Sequence, residues 1–204
     1  MIASPKQHPF ISPQDYLAWE EQQPLKYEYL NGDTYAMTGG TLAYNAIAVN
    51  LTTALRPHLR GKGCRVFMAD AKVGIAEGGP FFYPDILVTC DEGDRHARTL
   101  VQHPCLVIEV LSPSTEAFDR GEKFRQYRRL DSLKEYVLVN AETMGIDCYR
   151  LNERNKWELT TYLSDDEDSP TPDLVEIQFT SINFQCPLSL IYEDVVYEDP
   201  ELMA

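Results

Sequence analysis

Apolar and polar positions recur along this chain in two rhythms, one that predicts helices and one that predicts strands. From Thr41 to Arg60 the positions Leu42, Ala46, Val49, Thr53 and Leu55 fall near helical spacing and Gly61 closes the run, so the longest helix is expected there. Ser12-Pro13-Gln14-Asp15 sets a hydroxyl at the cap, proline in the first turn and an acid three residues on, which predicts a helix to about Gln22. Leu25 to Leu30 and Thr34 to Met37 flank Asn31-Gly32-Asp33, a tight-turn signal, and the resulting hairpin carries Glu28 in its first strand.

The short runs Cys64–Met68, Lys72–Ile75, Phe82–Thr89 and Cys105–Leu111 are rich in Val, Ile, Leu, Phe and Tyr, and read as central strands. Within them Ile86-Leu87-Val88 and Leu106-Val107-Ile108 are continuous apolar stretches, as expected where both faces of a strand are covered. Helical spacing returns from Asp119 to Asp131, and Tyr136–Asn140, Ile146–Leu151 and Trp157–Tyr162 follow as further strands. The expected fold class is therefore α/β, a mixed sheet flanked by helices. Ser164–Pro172 reads as a solvated loop, Leu174–Phe179 and Ile182–Phe184 as an added hairpin, and the residues from Leu188 as a final helical turn. A single domain is expected, with a core over about 12–162 and an acidic extension over 163–204.

Composition narrows the function classes. No stretch approaches the roughly 18 apolar residues of a membrane span, and the first ten residues lack a signal peptide's apolar region, so a cytoplasmic protein is expected. The five cysteines are widely spaced and form no CxxC pair, so they read as buried small hydrophobes rather than a disulfide framework or a thiolate zinc site. The four histidines have no HxxxH spacing. A net charge of −14 speaks against a polyanion partner, but eleven acids and no Lys or Arg lie in 163–204. The remaining residues hold 21 acids and 18 bases, a balance that permits a local basic surface.

Two acids stand where burial is costly. Asp85 opens the apolar strand Ile86-Leu87-Val88, and Glu109 lies inside Leu106-Val107-Ile108-Glu109-Val110. A buried carboxylate costs several kcal/mol unless it is paired, hydrogen-bonded or bound to a cation. If the two strands are neighbours, both acids can converge on Mg2+ (or Mn2+), which takes oxygen ligands and needs only one or two carboxylates. Lys123, in the first turns of the next helix, is placed to reach back, orient a water and balance the acids. Bland alternatives stand beside this: Asp85 bonding loop amides, and a metal-free ion pair between Glu109 and Lys123. Asp70-Ala71-Lys72 matches a DXK string but precedes the Pro-Asp element. The arginines of 119–131 make either a solvated face or a phosphate-contacting one.

Tyr83-Pro84-Asp85, then Val107-Ile108-Glu109-Val110-Leu111-Ser112-Pro113-Ser114-Thr115, then Asp119, Lys123, Tyr127 and Glu135-Tyr136, resembles the Uma-type restriction-endonuclease family of the PD-(D/E)XK nuclease superfamily. Lys26-Tyr27-Glu28-Tyr29-Leu30-Asn31-Gly32-Asp33 also resembles that family's early hairpin, and the likeness runs from residue 12 to about 190. The resemblance implies a nuclease-like sheet, an Mg2+-dependent endonuclease acting on DNA, and a homodimer. It implies that Asp85 and Glu109 hold the metal with the Val110 carbonyl, that Lys123 serves as a displaced motif lysine, and that Glu28 assists through a second metal or a bound water. Two positions depart from the pattern. Leu111 stands where the motif lysine would be, and Tyr44-Asn45 where relatives often have a histidine. A nuclease-shaped binding or regulatory protein without catalysis is the alternative, and an interaction protein built on the acidic tail is another.

Overall fold

The computed structural model describes residues 10–197 apart from 38, 165–172 and 174. The acidic run expected to form a solvated loop lies almost wholly outside the described residues. Ser12 caps α1 (Pro13–Glu20) by accepting from the Asp15 amide, and the helix stops two residues before the expected Gln22. Strands β1 (Tyr27–Leu30) and β2 (Asp33–Ala36) pair about Asn31 and Gly32, both at positive φ, the backbone that a two-residue hairpin turn requires. Thr41 caps α2 (Leu42–Leu59) through the Tyr44 amide.

The expected strand Phe82–Thr89 divides into β5 (Phe81–Phe82) and β6 (Ile86–Thr89), which belong to different sheets. Pro84 has no N–H for a ladder, so Tyr83-Pro84-Asp85 becomes the crossover between them. The larger sheet also contains β3 (Arg65–Met68), β8 (Pro104–Leu111), β9 (Glu135–Asn140), β10 (Gly145–Leu151) and β11 (Trp157–Leu163), in the order β11-β10-β9-β8-β6-β3. Only β8 and β9 run parallel in it. The smaller sheet has the order β2-β1-β5-β4-β7, with β4 (Lys72–Gly74) and β7 (Leu100–Val101). A short helix, α3 (Glu92–Arg95), links β6 to β7.

Strand alternation sorts the core into two layers. Ile86, Val88, Leu106, Ile108 and Val110 pack with Ile47, Leu51 and Leu55 of α2. Leu87, Val107 and Leu111 pack on the opposite side with Phe124, Tyr127, Leu130 and Leu133. Phe124 and Tyr127 come from a helical stretch made of α4 (Glu116–Phe118), a π turn (Asp119–Lys123) and α5 (Phe124–Tyr127), and Leu130 and Leu133 from the turns that follow; the stretch begins earlier and ends earlier than the expected 119–131. Both faces of β6 and β8 are thus covered, which is why their sequences are continuously apolar.

The C-terminal hairpin forms from β12 (Glu176–Phe179) and β13 (Phe184–Pro187), followed by α6 (Leu188–Ile191). It is not a loose appendage: Ile177, Phe179, Phe184, Leu188 and Ile191 are buried in the same core layer as α2. Among the described residues no helix is long and apolar enough to cross a membrane.

The cysteine expectation needs correction. Cys64 and Cys90 form a disulfide. β3 pairs with β6 so that Arg65 faces Thr89, and the two cysteines are the next positions outward on the two strands. That adjacency is a property of register, which a 26-residue separation in sequence does not reveal. Cys148 and Cys186 are buried, as expected of small hydrophobes, and Cys105 is half-buried.

Candidate active site

Antiparallel register brings the two key acids together. β6 and β8 pair with Ile86 opposite Ile108, so Asp85 lies one step beyond the ladder, opposite Glu109. Asp85 shares the side of Leu87, and Glu109 that of Val107 and Leu111, so both carboxyls leave the sheet on the face covered by the helical stretch. Ala69 donates its N–H to the Asp85 carbonyl at 2.9 Å and fixes the crossover.

Each carboxylate is buried and engaged. Asp85 Oδ2 accepts from the Val110 amide at 2.7 Å, and Oδ1 accepts from the Tyr44 hydroxyl. Glu109, 2 % exposed, has Oε1 3.1 Å from Lys123 Nζ. Glu28 sits in β1 with Tyr27 and Tyr29 on the opposite face. Its Oε1 accepts from the Tyr83 amide at 3.0 Å and lies 3.0 Å from Lys123 Nζ. Asp119 Oδ1 is 3.4 Å from the same ammonium. The wide π turn carries both Asp119 and Lys123 inward, and the Tyr136 hydroxyl holds the turn by donating to the Asp119 carbonyl at 2.9 Å.

Three buried carboxyls, of Glu28, Glu109 and Asp119, therefore lie against one buried ammonium, and the buried Asp85 stands opposite Glu109 beside them. Burial pushes the Asp85 carboxyl up to about 7, against the opposing pull of Lys123 and the Val110 amide. Glu109 is raised well above the usual carboxylate range, and Glu28 is raised as well, in both cases chiefly by burial and in spite of Lys123. Burial alone would depress Lys123, but Glu109, Glu28 and Asp119 together hold its ammonium well above its ordinary value. The group faces a cleft of about 430 Å3 walled by Gly39-Gly40-Thr41 on one side and Ser112-Pro113-Ser114-Thr115 on the other.

The model of a family described as "Putative restriction endonuclease", Uma2, matches residues 13–187. The chain belongs to the Uma2 family. Two proteins of Synechocystis sp. are similar to it. Uncharacterized protein slr1290 is 38% identical over 199 residues, covering 97% of this chain and 100% of its own length. Uncharacterized protein sll1609 is 30% identical over 156 residues, covering 76% of this chain and 88% of its own. Among solved structures, a "putative nuclease belonging to DUF820" from Anabaena variabilis superposes with a TM-score of 0.72 at 15% identity. The match covers 91% of this chain and 99% of that one, and shows that the two share a fold.

Membership of a family described as a "Putative restriction endonuclease" suggests a divalent metal. Among the described residues no three His, Cys, Asp or Glu side chains are grouped as a full metal cage. Magnesium does not need one, because it commonly takes one or two carboxylates and keeps several waters. The excess of buried carboxyls over ammonium is the kind of imbalance a divalent cation relieves. In addition, the fully buried Tyr127 hydroxyl, whose strongest charged neighbour is Glu109, has no hydrogen-bond partner among the described residues. The residues fit the ion.

Other expectations of this Uma2 chain resolve differently. Lys72 of the DXK string is paired with Glu20 at 2.9 Å, behind Tyr83, while Asp70 is exposed. The arginines of the helical stretch are largely occupied: Arg120 by Glu116 and Asp147, Arg125 by Glu122, Arg129 by Gln126, and Arg128 over the Phe124 ring. Sequence pattern does not mark Tyr44 as a site residue; its one signal is its place in the first turn of a capped helix after Gly39-Gly40. Asp119 had only its place in the family pattern.

Proposed function

We propose that this Uma2-family chain is an Mg2+-dependent endonuclease that hydrolyses a DNA phosphodiester. The observation that carries the reading is the cluster itself: Glu28, Glu109 and Asp119 against the ammonium of Lys123, with Asp85 opposite Glu109, all buried and all lining an open cleft. A purely structural core would replace such a cluster with apolar side chains at little or no cost in stability.

Asp85 and Glu109 would hold the ion, with the Val110 carbonyl as a third oxygen. Mg2+ bound there supplies Lewis-acid polarisation of the phosphoryl group and makes water a better nucleophile. Lys123 orients the attacking water and stabilises negative charge developing on the phosphoryl oxygens. Glu28 accepts from both Lys123 and the Tyr83 amide, which supports a role in positioning the ammonium rather than in a second metal site. Tyr44 holds Asp85 through its hydroxyl and thereby fixes the ligand's rotamer.

Two strands of a duplex need two sites, so a homodimer and a cytoplasmic location belong to the same reading. The Glu109–Lys123 pair would also persist in a non-catalytic member of the fold, and this favours the second reading, a binding or regulatory protein. Plasmid cleavage decides between them. Mg2+- or Mn2+-dependent nicking that disappears in Asp85→Asn and Glu109→Gln supports the nuclease, and no cleavage with any divalent metal supports the alternative.

A further inference from the structure

Three hollows lie in a row on this molecule, and each shares one aromatic wall with the next. Tyr83 lines both the catalytic cleft and a second hollow of about 480 Å3, and Phe67 lines both that hollow and a third of about 440 Å3. The row follows β3, an edge strand of the larger sheet paired only with β6. Met68, at one end of β3, pairs with Ile86 beside Asp85, and Arg65, at the other, pairs with Thr89. Arg65 therefore stands about 13 Å from Asp85 along the strand direction, given roughly 3.3 Å per residue, and Arg56 about 18 Å from Tyr44 along α2, given about 1.5 Å per residue.

The charge of the third hollow is unlike that of the chain. Arg56, Arg60 and Arg65 line it without any Asp or Glu. All three are exposed, and among the described residues none is ion-paired, whereas Arg95, Arg120, Arg125 and Arg150 all are. Arg65 donates to the Arg95 carbonyl at 3.0 Å, a contact that leaves its charge uncompensated, so in a chain of 32 acids and 18 bases three guanidiniums without an acidic partner among the described residues form a local positive site in one hollow. Arg65 also lies over the Phe67 ring, 4.7 Å from its centroid, so an aromatic face adjoins the cations. A groove lined by guanidiniums is the pattern that contacts and positions a duplex backbone. Arg65 at the end of β3 charges that edge and disfavours its pairing with a second copy.

We propose that Arg56, Arg60 and Arg65 form a phosphate-binding groove that grips the DNA backbone about four to five base-pair steps from the scissile bond, given a rise of about 3.4 Å per step. The proposal rests on the nuclease reading for the identity of the ligand but makes no use of the metal. Its test is binding of a short fluorescent DNA duplex, measured by anisotropy in EDTA across a salt series, to wild type, to R56Q/R60Q/R65Q and to R56K/R60K/R65K. The glutamine variant is expected to bind at least about tenfold more weakly, and its slope of log K against log salt to fall by about 2–3, since each phosphate contact contributes about 0.9. The lysine variant is expected to keep most of the slope, which a merely structural role for the guanidiniums would not produce. Unchanged affinity and slope in the glutamine variant, with its melting temperature intact, overturns the groove, as does a wild type that binds no duplex at low salt. Asp85→Asn run alongside separates the two ideas: lost cleavage with an inert arginine variant sinks only the groove, and arginine-dependent binding without cleavage in any protein sinks only the catalytic reading.

Discussion

Lys123 reaches Glu109 from a helix, with Nζ 3.1 Å from Oε1, although Leu111 holds the strand position two residues after the acid. The ammonium also lies within 3.4 Å of Glu28 and Asp119, so one side chain neutralises part of three. Lys123→Met should reduce Mg2+-dependent cleavage more than about 100-fold, the scale of losing an electrostatic stabiliser of the transition state. It should also destabilise the fold by about 3–5 kcal/mol, the cost of stripping one partner from a buried ion pair, offset where carboxyls take up protons. Lys123→Arg should not restore activity, since a planar fork does not fit a site shaped round a compact ammonium. Plasmid nicking and urea denaturation check the pair of outcomes, and full activity in Lys123→Met would remove the lysine from the mechanism.

Metal binding should be visible without any substrate. A ligand that binds only the folded state at about 100 times its Kd stabilises by about 2.7 kcal/mol. For a chain of this size that corresponds to a rise in Tm of about 5–11 °C, at roughly 2–4 °C per kcal/mol. The rise is expected with Mg2+ or Mn2+ in wild type and should be absent in Asp85→Asn/Glu109→Gln. An equal rise in the double variant would mean that the ion binds elsewhere.

The proton on Asp85 gives a pH signature of definite sign. Burial raises its folded pKa from 3.8 to about 7, so between those values the folded state holds a proton that the unfolded chain has released. Its contribution to stability is therefore complete below pH 3.8 and lost as pH rises to about 7. Asp85→Asn cannot titrate, so the stability of wild type relative to it should decline over that window and level off above it. Mg2+ needs the ionised carboxylate, and the Mg2+-induced shift should grow over the same range. Thermal melts of both proteins from pH 4 to 8 measure this, and a flat difference would refute the assigned proton.

Much of this arrangement was legible in the sequence because it depends on local patterns. The Ser12 and Thr41 caps, the Asn31-Gly32 turn and the doubly covered strands around Asp85 and Glu109 follow from residue type and spacing alone. What escaped depends on register and on distant partners. The Cys64–Cys90 bond needs the β3–β6 alignment, the division of Phe82–Thr89 needs a second sheet to receive Phe82, and the Glu20–Lys72–Tyr83 cluster joins residues 52 and 63 positions apart. The inward turn of Lys123 and Asp119 needs a π turn, which no hydrophobic period announces.

Tyr44 supplies a test of how far the site depends on its surroundings. Its hydroxyl donates to Asp85 Oδ1 while the Val110 amide donates to Oδ2, so both oxygens are held in place. Tyr44→Phe keeps the ring that packs against the α2 core layer and removes only the donor. Losing a hydrogen bond to the anion makes the charged carboxylate less favourable, so Mg2+ affinity should weaken, by about 10–100-fold if Tyr44 acts as such supporting groups commonly do. The pH dependence of Mg2+ binding should also move upward, because Asp85 then ionises less readily. A variant that merely loosened the fold would lower Tm without displacing that profile. Calorimetric titration of Mg2+ at several pH values therefore distinguishes support of the ligand from simple packing.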